Sequence, residues 1–398
     1  MTHGTSSFAR RRRHHRVLQL NRAGYLGGVE RVILTLAEGL RGENYETVLA
    51  CPPEGGFMAM ADEAGIETVP TPIERMRITL NPAVALRYPL KLLSGGRFVR
   101  DLCRRERIDV IHAHHPVGVL FARRAARELG IPLLLHVHEI PPAKPLYTLA
   151  LQRALRDADR VIACSRAGRD LVASAGGRAD MVEIVHNAVA PGFLISAETA
   201  KAADVGPGGP HIGVFGLLEP RKGQDILLAA ASAVLEHHHD AVFWLIGGAA
   251  LSDKAAYVNR LHAAAQKHPL AGHVRFAGHQ SDVAAWMKAM DAVVLPSVSN
   301  ESLPMALIEA MTLARPVVAS RIGGTPEIVR DGETGRLVPP GDVDALAAAI
   351  LDVVGPAGAG YAARAAADAC ARFSSDRFAG EIASIYAGLL DHSERRVR

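Results

Sequence analysis

Short apolar runs alternate with amphipathic stretches along most of this chain, and the series occurs twice. In the first half, strand candidates lie at residues 17–20, 47–50, 110–112, 133–137, 161–163 and 182–185, and helical patterns lie between most of them. In the second half, they lie at 211–215, 242–246, 274–277, 292–295, 317–319 and 336–338. Strands that alternate with helices form parallel sheets covered on both faces. The pattern therefore predicts an α/β chain with two Rossmann-like parallel-sheet domains.

The break between the two series predicts the domain boundaries. Residues 1–16 read as a disordered basic tail, and residues 17–190 as the N-terminal domain. Residues 191–210, which end in the turn sequence GPGGP, read as a linker. Residues 211–374 form the predicted second domain, and a last helix covers about 375–392. Parallel α/β domains bind ligands at the carboxyl ends of their strands, so the turns that follow strands are the places to look for a site.

Composition excludes several classes of protein. The 398 residues are 49% hydrophobic and 22% charged, which excludes a mostly disordered chain. The formal net charge of +4 permits anionic partners without requiring nucleic acid. The four cysteines lie far apart and form no CxxC pair, which argues against a zinc ribbon or a disulfide scaffold and fits a reducing cytoplasm.

The N-terminal basic run, residues 10–16, is followed by only four residues of low polarity, so it does not resemble a secretory signal. No apolar run approaches the roughly 18–20 residues that span a bilayer. We expect a cytoplasmic protein whose basic residues are either solvated or in weak contact with anionic lipid at the inner face of a membrane.

Two turns between a strand and a helix have the composition of anion-binding sites. The first, GYLGGVE at residues 24–30, offers glycines and a helix N-terminus. It contains no GxGxxG, and the chain has no Walker A loop. The second, FGLLEPRKG at residues 215–223, offers Arg221 and Lys222, which suit a diphosphate. A plain structural turn is the alternative for each.

The segment ESLPMALIE at residues 301–309 places two carboxylates around the start of a helix. Pro304 suits the first helical position, so Glu301 would precede the helix and Glu309 would lie inside it, on its inner face. A carboxylate can accept hydrogen bonds from sugar or ribose hydroxyls. The alternative is an exposed Glu301 and a structural Glu309.

Histidines cluster after two strands of the first domain. His112, His114 and His115 follow one strand, and His136 and His138 end another. Each alone could be structural, but two clusters at neighbouring strand ends favour a site. We predict no metal, because no carboxylate-rich companion is evident. The two Asp-x-Asp pairs, at 157–159 and 342–344, read as capping or surface features.

An ordered set of motifs resembles the retaining glycosyltransferases of family 4, which have the GT-B fold. The motifs are GGVE at 27–30, His138, HN at 186–187, Gly216 with RKG at 221–223, VRFAG at 274–278, Glu301-x7-Glu309, GGTPE at 323–327 and DGETG at 331–335. The similarity runs from about residue 15 to about 390 and is most specific over 210–345. Two departures are Pro304 and Ala188, which stand where glycine is common in the family.

The resemblance implies two domains that face a central cleft, with the final helix crossing back onto the first domain. It implies a nucleotide-diphosphate sugar as donor, with UDP as the expected nucleotide, and no metal or other cofactor. Arg221 and Lys222 would bind the diphosphate, Glu309 the ribose, and Glu301 the sugar. His138 would sit beside the reacting sugar. The implied donor-binding set is Gly28, Gly216, Arg221, Lys222, Gly278, His279, Glu301, Ser302, Leu303, Met305 and Glu309. The implied catalytic set is His138, Arg221, Lys222 and Glu301.

The expected function is retaining transfer of a hexose-type sugar to a hydroxyl acceptor, in cell-envelope polysaccharide or glycolipid biosynthesis. Alternatives are glycosylation of a small soluble acceptor in secondary metabolism, a nucleotide-sugar epimerase on a related scaffold, and a non-catalytic sugar-nucleotide sensor. The loop at 75–77 and the segment at 144–147 are candidates for shaping the acceptor side.

Overall fold

The computed structural model describes residues 14–73, 88–140, 145–248, 255–299 and 301–397. Most of the basic tail (residues 1–13), the loop at 75–77 and Lys144 lie outside the described residues. The expectations for them stay predictions.

The first sheet has seven strands in the order β3-β2-β1-β4-β5-β6-β7. The pairs β1–β2, β1–β4, β2–β3, β4–β5 and β6–β7 run parallel. Its strands are β1 (His15–Leu20), β2 (Tyr45–Cys51), β3 (Glu67–Pro70), β4 (Val110–Ala113), β5 (Leu133–Val137), β6 (Arg160–Ala163) and β7 (Val182–Ile184). Strands β4 and β5 are buried throughout, as expected for the centre of a parallel sheet that is covered on both faces.

The second sheet has six parallel strands in the order β10-β9-β8-β11-β12-β13. Its strands are β8 (His211–Phe215), β9 (Val242–Ile246), β10 (Val274–Gly278), β11 (Ala292–Leu295), β12 (Val317–Ser320) and β13 (Arg336–Val338). The strand order reverses between β8 and β11. In doubly wound sheets, ligands bind beside such a reversal, at the carboxyl ends of the strands.

Helices connect most of the strands. They are α1 (Gly28–Leu40), α2 (Phe57–Glu63), α3 (Tyr88–Arg105), α4 (Pro116–Leu129), α5 (Pro145–Asp157), α6 (Arg166–Ser174), α7 (Pro191–Thr199), α8 (Gln224–His237), α9 (Ala255–Ala265), α10 (Val283–Lys288), α11 (Met305–Thr312), α12 (Thr325–Ile328), α13 (Val343–Val354), α14 (Gly358–Arg372) and α15 (Ser375–Val397). The helix α1 packs Ile33 and Ala37 into a core with Leu49 and Phe57.

The fold confirms the predicted two parallel sheets of the α/β class, with local differences. Strand β1 begins at His15, two residues before the predicted start, because its backbone pairs with β2 from there. The short edge strand β3 escaped the sequence pattern, since half-buried Thr68 and Val69 lie between exposed residues. The predicted linker, residues 191–210, contains α7.

Contacts divide the chain into two compact units. One consists of Met1–Leu135, Arg156–Arg160 and Ala379–Arg398, and the other of His136–Leu155 and Val161–Phe378. The second unit holds two large apolar clusters around its sheet, one of which includes Cys164, Phe215 and Phe373. Most of the predicted site residues belong to this second unit.

A buried polar network holds α15 in the first unit. The hydroxyl of Tyr386 lies 2.6 Å from Nδ1 of His112, and Nε2 of Gln19 donates to it over 3.1 Å. Oε1 of Gln19 lies 2.6 Å from Nε2 of His114, whose ring stacks on His112 at 4.3 Å. Tyr45 adds a hydrogen bond to the Ala383 carbonyl. Hydrogen bonds among buried polar groups specify one packing arrangement, because any other leaves such groups unpaired.

Among the described residues, no single helix has both the length and the apolar composition of a membrane span. One pair of helices, Val343–Val354 and Gly358–Ser393, meets these two criteria only when taken together, and the pair is bent by 89°.

Replacing Tyr386 by Phe should lower the free energy of unfolding by about 1–3 kcal/mol, because buried groups of Gln19 and His112 lose a hydrogen-bond partner. Urea unfolding followed by circular dichroism measures the change. The matched control is Tyr25→Phe, at a side chain that is 71% exposed, where a change within about 0.5 kcal/mol is expected. Equal stability of Tyr386→Phe and wild type would contradict the role given to this network.

Candidate functional site

The loop after β8 carries two basic residues on a tight glycine-framed turn. Gly216 follows the strand with φ +142°, and Gly223 ends the turn with φ +67°. Between them, Pro220–Lys222 form one turn of 3-10 helix. A Cβ atom on Gly223 would lie 2.0 Å from the Pro296 carbonyl oxygen, so only glycine lets this turn pack against the end of β11.

Three glycines align the ends of β8, β9 and β10. The Gly216 amide donates to Ile246, and the Gly247 amide donates to the Gly278 carbonyl over 2.8 Å. A Cβ on Gly247 would lie 1.9 Å from the Gly216 carbonyl oxygen. The predicted phosphate turn and the predicted base segment around Gly278 are therefore joined by main-chain contacts.

The carboxylate of Glu301 is contacted by three polar side chains of the site. Its Oε1 accepts hydrogen bonds from Lys222 Nζ at 2.6 Å and from the Ser297 hydroxyl at 2.7 Å. Arg221 lies at 3.4 Å from the same oxygen. The Glu301 side chain is only 5% exposed, so this charge depends on its partners. The structure thus brings together Arg221, Lys222 and Glu301, three of the four predicted catalytic residues.

A second carboxylate pairs with Arg221 from the other side. Glu219 Oε1 lies 2.5 Å from Arg221 Nε, and its side chain is buried. Arg221 itself remains about one-third exposed. The turn therefore presents two cations that are already balanced by two carboxylates, and an anion entering here would have to draw the cations away from Glu219 and Glu301.

A pair of glycines holds the backbone of the Glu301 segment. The Gly324 amide donates to the Glu301 carbonyl over 3.2 Å. Added Cβ atoms on Gly323 and Gly324 would lie 1.6 and 1.9 Å from the carbonyl oxygens of Glu301 and Ser302, respectively. This close approach explains the two glycines of the GGTPE motif, because a side chain at either position would push the carboxylate-bearing segment away.

The helix that follows begins one residue later than predicted. Pro304 is the N-cap, with φ −71° and ψ 111°, and α11 starts at Met305. Leu303 is buried and Met305 is half-buried, so these two predicted donor-binding side chains contribute to packing as well. Glu309 is half-buried in the second turn of α11, whereas Leu307 and Ile308 are fully buried.

The segment around Gly278 and His279 is braced by one of the two tryptophans. Trp286 Nε1 donates to Gln280 Oε1 over 3.0 Å, and Gln280 Nε2 donates to the Ala277 carbonyl over 2.6 Å. Trp244 packs edge-on against Trp286 at 5.2 Å. A Cβ added to Gly278 would meet nothing within 4 Å, so the segment leaves open space at this point.

His138 is buried and uncharged at neutral pH. Its ring stacks on His136 at 3.8 Å, and burial lowers its pKa to about 3. His138 can therefore supply hydrogen bonds but no positive charge under physiological conditions. The other cluster is structural in its described contacts: His112 and His114 belong to the Tyr386 network, and His115 caps α4 by accepting from the Val117 amide.

Gly28, in the first compact unit, opens α1 after Gly27. A Cβ on Gly28 would meet nothing within 4 Å. The turn is held by Glu30, whose carboxylate accepts from the Gly27 amide at 3.0 Å and from Asn21 Nδ2 at 2.9 Å. Sequence reasoning missed the part played by Asn21, although its position directly after β1 could have indicated it.

Ser297 and Cys164 were also missed as contributors to this region, and Glu327 was included in the GGTPE motif without a role. Ser297 follows the end of β11, a position that could have drawn attention to it. Glu327 accepts from the Arg166 amide at 2.7 Å and pairs with His186 at 3.0 Å. Cys164 comes directly after β6, and no motif marks it.

The two Asp-x-Asp pairs have different roles. Asp342 caps α13 by accepting from the Ala345 amide, which confirms the capping interpretation. The surface interpretation of Asp157 was wrong: its side chain is 1% exposed and forms ion pairs with Arg127 and, at 3.6 Å, with Arg123. Asp159 accepts from the Leu133 amide. Two arginines one helical turn apart make this burial possible.

Comparison with known proteins identifies the family. Residues 26–193 match the model of "Glycosyltransferase Family 4", and residues 209–355 match that of "Glycosyl transferases group 1". The chain belongs to the family 4 glycosyltransferases. The enzyme is thus a glycosyltransferase with the GT-B fold, which agrees with its two parallel sheets and supports transfer rather than epimerisation.

Two curated relatives are similar over most of their length. A phosphatidyl-myo-inositol mannosyltransferase of Mycolicibacterium smegmatis is 30% identical over 353 residues, covering 85% of this chain and 84% of that protein. A D-inositol 3-phosphate glycosyltransferase of Streptomyces scabiei is 29% identical over 421 residues, covering 94% of this chain and 90% of that protein.

Solved structures match the fold over most of the chain. Anabaena Alr3699/HepE, in complex with UDP and glucose, is 25% identical with a TM-score of 0.76, covering 94% of this chain and all of that one. Sucrose-phosphate synthase from Thermosynechococcus elongatus has a TM-score of 0.76 at 18% identity, covering 95% of this chain and all of that one, a likeness of fold alone.

Burial of neutral His138 predicts a pH-dependent stability. The folded pKa is lower than the unfolded value near 6.5, so the unfolded chain takes up the proton first as pH falls. The contribution of neutral His138 to the free energy of unfolding is complete above about pH 6.5 and is lost as the pH falls towards 3. His138→Gln should flatten the slope of unfolding free energy below pH 6.5 by up to about 1.4 kcal/mol per pH unit.

Urea titrations at several pH values measure this slope, with His237→Gln, at an exposed position on the end of α8, as the control. An unchanged slope in His138→Gln would contradict the neutral buried state assigned to His138.

Proposed function

We propose that this enzyme transfers a hexose-type sugar from a nucleotide-diphosphate sugar, with UDP as the nucleotide, to a hydroxyl acceptor with retention of anomeric configuration. The observation that carries the proposal is the convergence of Lys222, Arg221 and Ser297 on the buried Glu301 carboxylate at the carboxyl ends of β8 and β11. A cationic turn next to a carboxylate suits a substrate that joins a diphosphate to a polyhydroxylated sugar.

Each group has a proposed role. Lys222 and Arg221 bind the diphosphate and stabilise the charge that develops on it as the sugar leaves. Glu301 accepts hydrogen bonds from sugar hydroxyls, and Glu309 from the ribose. Gly278 and His279 lie beside the base. Because Lys222 pairs with Glu301 and Arg221 with Glu219, donor binding exchanges one set of ion pairs for another.

Retention would follow from attack on the face from which the diphosphate departs, the departing phosphate helping to deprotonate the acceptor hydroxyl. His138, which is neutral, would hydrogen-bond the reacting sugar without adding charge. Arg221 and Lys222 would supply the neutralisation that a metal ion supplies in other transferases, so we propose that no metal or other cofactor is needed.

The donor can be identified by thermal unfolding in the presence of UDP, GDP, ADP or dTDP and the matching sugar nucleotides, with and without EDTA. A ligand at 100 times its dissociation constant stabilises the folded state by about 2.7 kcal/mol. We expect a clear shift with UDP that survives EDTA. Trp286, which braces the Gly278 segment, provides a second readout through its fluorescence.

Lys222→Ala should raise the barrier to transfer by about 2–4 kcal/mol, by analogy with the loss of one group that stabilises developing negative charge. Sugar transfer to water or to an acceptor, followed by nuclear magnetic resonance, measures the rate and also the anomeric configuration of the product. The control is Lys267→Ala, at an exposed lysine, and melting temperatures verify that both variants fold. Unchanged turnover in Lys222→Ala, or an inverted product, would contradict the proposal.

The two relatives are a phosphatidyl-myo-inositol mannosyltransferase and a D-inositol 3-phosphate glycosyltransferase, which favours an acceptor that contains inositol. An inositol-containing acceptor at an anionic membrane surface, in glycolipid or cell-envelope polysaccharide synthesis, is the form we propose, at the inner face of the membrane. The supporting observation is the start of α3, where Leu90 and Leu93 are 66% and 53% exposed beside exposed Lys91 and Arg97. Apolar and basic side chains on one helix suit an anionic lipid interface.

Leu90→Ser combined with Leu93→Ser should weaken co-flotation with phosphatidylinositol-containing vesicles severalfold, because the apolar side chains no longer enter the interface. The control is Leu194→Ser combined with Ile195→Ser, at two exposed apolar residues on α7. If the wild-type protein does not bind the vesicles but does glycosylate inositol phosphate, the acceptor is a small soluble molecule and the membrane proposal is wrong.

A further inference from the structure

We propose that Cys164 is a positioning residue for sugar transfer, because its thiol joins the main chain of His138 to the hydroxyl of Ser302, next to Glu301. This inference rests on the proposed function, since it gives Cys164 a part in holding the sugar-binding segment. The residue lies outside every motif that carried the family resemblance.

The contacts of the thiol have a definite direction. Cys164 Sγ lies 3.9 Å from the carbonyl oxygen of His138 and 2.9 Å from Ser302 Oγ. A carbonyl can only accept, so the S–H group donates to His138 and the Ser302 hydroxyl donates to sulfur. Burial raises the pKa of Cys164 to about 11, so the thiol keeps the proton that this chain of hydrogen bonds requires.

Ser302 is held from two sides. Its hydroxyl meets Cys164, while its carbonyl packs against Gly324, where a Cβ atom would come within 1.9 Å. The same Gly324 donates its amide to the Glu301 carbonyl. Cys164 thus contacts the Ser302 side chain while Gly324 contacts its main chain, and through Ser302 the thiol helps to position the adjacent Glu301.

The thiol itself is fixed by its neighbours. Cys164 is fully buried at the end of β6, and its amide donates to the Val137 carbonyl over 3.4 Å. The next residue, Ser165, caps α6 through its hydroxyl. Ser165 also packs against Gly324, whose added Cβ would lie 3.0 Å from Ser165 Cβ. Because the main chain on both sides of Cys164 is held by these contacts, its sulfur atom has a fixed position from which it can orient Ser302.

The test is a double-mutant cycle on steady-state transfer from UDP-sugar, with UDP binding measured separately. Cys164→Ala should lower kcat about fivefold, the effect of one lost hydrogen bond, while the Kd for UDP changes less than twofold, because the contact lies on the sugar side. Cys164→Ser, which keeps a hydroxyl donor and acceptor, should recover most of kcat. Cys103→Ala, at another buried thiol on α3, is the matched control and should leave both values unchanged.

Ser302→Ala and the double variant complete the cycle. The loss in the double variant should be smaller than the product of the single losses, since either change alone breaks the same contact. Melting temperatures verify folding, and if Cys164→Ala does not fold, Cys164→Val, which fills the space without a hydrogen-bonding group, replaces it in the cycle.

The outcomes separate the two proposals. The role of Cys164 would be overturned if the single losses of kcat multiply in the double variant, or if Cys164→Ala leaves kcat unchanged. If the wild type binds UDP normally in that experiment, the proposed function remains intact. A wild type that neither binds UDP nor uses a UDP-sugar would overturn the proposed function and this inference with it. A sub-multiplicative double loss with recovery by serine supports the inference.

Discussion

The buried charge of Glu301 is the constraint on which the second unit is organised. A carboxylate that is 5% exposed is stable only with partners close by, and here Lys222, Ser297 and Arg221 all reach the same oxygen. Those partners come from the turns after β8 and β11, so one interaction ties together two strands that are adjacent in the sheet. The ion pair thereby also determines where a substrate's negative charge can enter.

Close main-chain approach makes this arrangement possible. Gly223 packs against Pro296, Gly247 against Gly216, and the pair at 323–324 against the Glu301 segment, each at a distance that no side chain tolerates. These contacts bring together the loops that follow four strands, β8, β9, β11 and β12. The side chains that these loops contribute to the site are charged or carry a hydroxyl, as in Lys222, Ser297 and Glu301, and they make the site polar.

Sequence reasoning located the strands of both sheets, with β3 as the exception, and it placed Arg221, Lys222 and Glu301 in one site. The strands were located because apolar periodicity and glycine turns are local signals, whereas the grouping of the three site residues came from the resemblance to family 4. It was wrong about Asp157, which is buried by arginines on another helix, and it missed Ser297 and Cys164. The contacts of Asp157 and Cys164 join residues far apart in the chain, so no local pattern records them. Ser297 lies only four residues before Glu301 and was missed because no motif includes it.

The sequence by itself determined the α/β class, the order of the strands along the chain and the family, because these depend on patterns that persist over many residues. Only the tertiary structure decided that His112 and His114 support the final helix, that His138 is buried and uncharged, and that a thiol touches Ser302. The physical reason is that burial and hydrogen-bond partners are set by residues brought together in space. A histidine or cysteine of the same type can therefore be structural, positioning or reactive according to what packs around it.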